Sequence, residues 1–105
     1  MMITSIQTKE VLRLLGLMIQ AGQKEKQWTS ADLADRAGIS RNTLAKAKNG
    51  DPTVAAGTLF ECARLVGVDL LGDKDQRRIE TLRIQGTLDL LPRRVRASTG
   101  DEDDF

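Results

Sequence analysis

Three side chains within six residues carry groups able to read the edge of a base pair: Arg41, Asn42 and Lys46. A guanidinium can donate two parallel hydrogen bonds to guanine, and a carboxamide can pair at two points with adenine. Just before them stands Ser40, whose hydroxyl, with the first amides of a following helix, can hold a phosphate oxygen. The absent residue types narrow the chemistry further. The 105 residues include no His, no Tyr and one Cys, Cys62. That composition argues against Cys/His zinc sites, a disulfide framework and nucleophile–imidazole pairs. With so few acids and bases able to work near neutral pH, no enzymatic activity, no cofactor and no metal are expected.

Reading a groove requires those three side chains to point the same way, and the flanking residues supply the means. Thr29 followed by Asp32 has the spacing of a capping box and opens a helix with Leu33, Ala34 and Ala37 inward. Gly38 ends it, because glycine enters the left-handed conformation at little cost. Ile39 plugs the corner, and Ser40 caps a further helix from Arg41 to about Asn49 with Leu44 and Ala47 on its inner face. That pinning leaves Arg41, Asn42, Lys46 and Lys48 outward. Asn49-Gly50-Asp51-Pro52 is a stop signal. Two short helices around a glycine turn, with a small residue four positions before it, make a helix-turn-helix.

The rest of the chain also reads as helix. Apolar residues at Val11, Leu15, Met18 and Ile19, broadened by Leu12, Leu14 and Leu17, predict a helix over Thr8 to Lys26 with Thr8 as its cap. Gly22 weakens its last turn. Leu17 and Met18 are expected either to bury against Ile3 to Ile6 or to form part of an interface. Leu59, Cys62, Ala63 and Val66 predict another helix from Ala56 to Val66, with Cys62 a small core residue. Val68 to Gly72 is a turn or a last short helix. Between Gln76 and Leu91 the apolar residues are Ile79, Leu82, Ile84, Leu88, Leu90 and Leu91. Interrupted by Gly86, they are compatible with helix, strand or structure induced by a partner. The fold class is therefore all-α, in three parts: a DNA-binding domain over 8–72, a charged extension over 73–97 for dimer or partner contact, and an acidic tail over 98–105 expected to be disordered.

Net charge is +1, yet residues 1–50 hold eight Lys/Arg against four Asp/Glu. A basic amino-terminal half suits a polyanionic partner. Arg93, Arg94 and Arg96 are either a solvated linker or contacts to DNA or a partner. No secretory leader or membrane-length apolar run is evident, so a cytoplasmic protein is expected.

From Leu15 to Leu71 the chain resembles the Xre/Cro-type repressors, which have a five-helix phage-repressor-like fold. The likeness rests on Leu15-Gly16-x-x-Ile19, on Lys24-Glu25-Lys26-x-Trp28-Thr29, on the run Ser30 to Leu44, and on Asn49-Gly50-Asp51-Pro52. It implies a homodimer on a pseudo-palindromic double-stranded DNA operator, with Arg41, Asn42 and Lys46 on bases. The backbone set it implies is Lys24, Lys26, Ser30, Ser40, Thr43, Lys48 and Asn49. Gln23 stands where many relatives carry a backbone-contacting Arg. Gly22 replaces a larger core residue, with Trp28 expected to supply the missing volume. Gly50 to Leu59, Leu65-Val66-Gly67-Val68 and Leu91 to Arg96 are similar to the antitoxin partners of HipA-type kinase toxins. That narrower likeness implies an autoregulating repressor; the alternatives are a stand-alone regulator and an interaction-only protein of the same fold.

Overall fold

The computed structural model describes residues 4–92. The expectations for Ile3, for Arg93, Arg94 and Arg96, and for the acidic tail over 98–105 lie outside the described residues. Within them the chain is all-helical, in the order α1 (Ile6–Glu25), α2 (Ser30–Ala37), α3 (Arg41–Lys48), α4 (Ala56–Leu65) and α5 (Lys74–Leu90). Two compact units divide it, one over residues 1–70 with α1 to α4 and one from Leu71 onward with α5. The fifth helix thus stands in the extension rather than within 8–72, and Val68 to Gly72 is turn.

The core of the first unit is built from aliphatic side chains and one cysteine, with no aromatic residue among its buried members. Leu15 and Ile19 of α1, Leu33 and Ala34 of α2, Leu44 and Ala47 of α3, and Leu59, Cys62 and Ala63 of α4 are buried together, with Val66 just after α4. Burial pushes the Cys62 thiol above its ordinary value, with Glu61 adding a smaller push in the same direction. Trp28 and Ile39 pack half-buried at the margin of this cluster. A Cβ at Gly22 would lie 2.7 Å from a methyl of Val66. Val66 therefore fills the space that the sequence assigned to Trp28. A Cβ at Gly16 would run into the Lys48 carbonyl, so the first helix lies against the end of α3 nearly backbone to backbone.

Helix α1 departs from expectation in its start and its register. Ser5 is the cap, its hydroxyl accepting the Thr8 amide at 3.1 Å, so Thr8 sits inside the first turn. The inward stripe is Leu12, Leu15, Ile19 and Gln23. Val11 is 65% exposed and Met18 41%, on a neighbouring row with Leu14 and Leu17. With Ile6 itself 75% exposed, it gives Leu17 and Met18 no cover. The physical reason is the pair of glycines: Gly16 and Gly22 allow close approach only along their own side of the helix, and that selects the stripe.

Of the three options for Gln76 to Leu91, the structure takes helix, running straight through Gly86. Asp73 caps α5 by accepting the Gln76 amide at 2.8 Å, and Gln76 accepts the Asp73 amide in return. Arg83 pairs with Glu80 one turn earlier. No residue of α5 is buried, and Ile79, Leu82, Ile84, Leu88 and Leu90 are all exposed.

Candidate nucleic-acid interface

The turn between α2 and α3 follows from local chemistry at both ends. Thr29 Oγ1 accepts the Asp32 amide at 3.0 Å, and Asp32 accepts the Thr29 amide at 2.9 Å. The Thr29 amide, helped by its hydroxyl, holds the Asp32 carboxyl below the usual carboxylate range. Gly38 takes φ +70°, and its amide donates to the Asp35 carbonyl. The Ile39 amide donates to the Ala34 carbonyl at 3.0 Å, which closes the corner. Ser40 Oγ then accepts the Thr43 amide at 3.0 Å and starts α3.

Two residues of α3, Leu44 and Ala47, are buried. Rotation by about 100° per residue then puts Arg41, Asn42, Ala45 and Lys46 on the outward side, and all four are exposed. Asn42 and Lys46 are one turn apart along this face, and Arg41 and Ala45 form the row beside them. Ala45 was missed by sequence reasoning, although its spacing of three from Asn42 signals it. Arg41 and Asn42 lie in the first turn, the part of a second helix that enters a major groove. The helix ends where the Asn49 amide donates to Ala45 and the Asp51 amide to Lys46, at 3.1 and 3.0 Å. Hydrogen bonds from the Thr53 hydroxyl and amide hold the Asp51 carboxyl below its ordinary value.

The remaining expected contacts divide into two kinds. Lys24, Lys26, Ser40 and Asn49 are exposed, and Ser30 and Thr43 half-buried, in the same four-helix unit. The Ser40 hydroxyl donates to Thr43 Oγ1 at 3.0 Å, so these two act as one group at the start of α3. Lys26 lies 5.7 Å from the centre of the Trp28 ring and Arg36 lies 4.2 Å from it, so Trp28 carries cations over its ring as well as bordering the core. Lys48 is different. Its ammonium donates to Gln23 Oε1 at 3.0 Å and to Ser30 Oγ at 2.9 Å. Gln23, 9% exposed, also donates to the Trp28 carbonyl at 3.1 Å. Sequence reasoning marked Gln23 as a departure but did not anticipate that Lys48 seats on it, or that Gln20 donates to the Lys48 carbonyl at 3.1 Å.

Among the described residues, no helix is long and apolar enough to cross a membrane. Among the curated proteins and the solved structures, none matches the chain. The family model described as helix-turn-helix matches residues 23–72, from the last turn of α1 through α4. In keeping with the Xre/Cro-type resemblance, residues 23–72 carry a helix-turn-helix domain, the DNA-binding domain of transcriptional regulators.

Proposed function

We propose that this protein is a sequence-specific transcriptional repressor that reads its operator with Arg41, Asn42 and Lys46. The observation that carries the reading is the outward face of α3, which gathers those three side chains opposite buried Leu44 and Ala47. A guanidinium and a carboxamide in the first turn match guanine and adenine edges. Lys24, Lys26, Ser30, Ser40, Thr43 and Asn49 are proposed for the phosphate backbone, where they would set register without reading sequence.

One motif of this size reads few base pairs, so the proposal includes a homodimer on two half-sites about 34 Å apart. The exposed apolar residues of α5 support a role for that helix in contacting a second copy or another protein. The finer reading, an autoregulating antitoxin bound to a HipA-type kinase toxin, rests on the sequence resemblance, with α5 as the segment offered to the toxin. Selection from a pool of random duplexes followed by footprinting tests the proposal. Enrichment of an inverted repeat, protected on two successive major-groove faces, is expected. A pool that fails to enrich, or protection indifferent to sequence, would refute it.

A further inference from the structure

Helix α3 has eight residues and two buried side chains, a thin hold for an element that must present base-reading groups at a fixed angle. Its first turn is fixed by the Ser40 cap and the Gly38 corner. Its last residue is held from three sides. The Lys48 carbonyl lies against Gly16 and accepts from Gln20 at 3.1 Å. The Lys48 ammonium bridges Gln23 Oε1 of α1 and Ser30 Oγ of α2, at 3.0 and 2.9 Å. Gln23 is itself tied to the Trp28 carbonyl, so the seat is part of the α1–α2 connection.

We infer that Lys48 is a positioning residue: its ammonium pins the end of α3 to α1 and α2 and thereby fixes the angle of Arg41, Asn42 and Lys46. Lys48 thus leaves the backbone-contact set in which the sequence placed it. From Arg41 to Lys48 the helix runs about 10 Å, so a small change of tilt at the pinned end displaces Arg41 and Asn42 at the other. A two-point hydrogen bond to a base is directional and weakens steeply when misaligned. A phosphate contact by a flexible Lys is far more tolerant. Loss of the pin should therefore reduce discrimination between sequences more than it reduces attraction to DNA in general.

This inference rests on the base-reading role proposed for α3, and the experiment separates the two. The full chain is titrated with a duplex enriched from a random pool and with an unselected duplex of equal length, each over a series of salt concentrations. The variants are Lys48→Met, which keeps the apolar stem, Ser30→Ala, the two together, and Arg41→Ala. Lys48→Met should lower the preference for the enriched duplex by about tenfold, with the double variant less than additive, as for side chains sharing one network. The slope of log affinity against log salt should stay near that of the wild type. A lysine in direct contact with a phosphate would instead lower that slope by about 0.9. A slope lowered in that way, or a loss equal on both duplexes, overturns the inference, as does unchanged preference despite reduced thermal stability. If Arg41→Ala abolishes preference while Lys48→Met does not, only the pin is wrong. If neither changes preference, the base-reading assignment falls as well.

Discussion

A single methyl group at position 16 tests the packing that orients α3. In a helix, Gly→Ala ordinarily adds stability, about 0.5–1 kcal/mol, because glycine loses more backbone freedom on folding. At Gly16 the added Cβ would meet the carbonyl carbon of Lys48 at 2.8 Å and the Ala47 carbonyl oxygen at 3.0 Å. Ordinary non-bonded contact is about 3.5–4.0 Å, so α1 and α3 would have to separate by on the order of 1 Å. Overpacking of that kind costs about 1–3 kcal/mol against a propensity gain of about 0.5–1 kcal/mol, which leaves a net loss centred on about 1 kcal/mol. Gly57, in the first turn of α4, provides the control because a Cβ there meets nothing within 4 Å. Gly57→Ala should then stabilise by about 0.5 kcal/mol or more, the ordinary gain. Urea denaturation followed by circular dichroism reads both changes as shifts of the midpoint, with m compared to exclude a change in the unfolded state. Opposite signs are expected. A stabilised Gly16→Ala chain would show that α1 and α3 do not meet backbone to backbone.

Two further outcomes follow from the core and its caps. Ile19→Ala should cost about 2–5 kcal/mol because Ile19 is fully buried, whereas Val11→Ala should fall within about 0.5 kcal/mol because Val11 faces solvent; equal losses would restore the register expected from the sequence. The Asp32 carboxyl is held below its ordinary value when folded. Its stabilising contribution is therefore complete above the unfolded pKa of about 4 and is lost as pH falls through the lower folded value. In Asp32→Asn the fall of urea midpoint with acid below about pH 4 should be shallower than in the wild type, and an identical acid profile would remove Asp32 from the account.

The parts of this structure that were legible in the sequence are those fixed by neighbours in the chain. Thr29 with Asp32, Gly38, and Ser40 with Thr43 all act across three or four residues, so residue type and spacing carried the turn. Leu44 and Ala47 sufficed to turn Arg41, Asn42 and Lys46 outward, but not to add Ala45 to that face or to bring the Lys48 ammonium onto Gln23 and Ser30. Helix α1 was harder because apolar residues between Val11 and Ile19 fill two adjacent rows. The choice between rows is made by Gly16 against Lys48 and Gly22 against Val66, contacts that periodicity does not contain. The hydrogen bonds of the Lys48 ammonium were not legible for the same reason, since its partners are 25 and 18 residues away. In α5, two weak apolar rows and Gly86 left the conformation open, while the Asp73–Gln76 capping box carried the missing start signal.

Base reading by Arg41 and Asn42 from the first turn of α3 is open to a decisive experiment, the competitive binding of single variants. Affinities of Arg41→Ala, Asn42→Ala and Lys24→Ala are measured on the enriched duplex, on its single-base variants and on unselected DNA. Arg41→Ala and Asn42→Ala should each lose about 1–3 kcal/mol on the enriched duplex and relax preference at one or two positions. Lys24→Ala should weaken every sequence alike and lower the salt slope by about one. Equal losses for all three variants on enriched and unselected DNA would contradict the assignment of α3 as the reading helix.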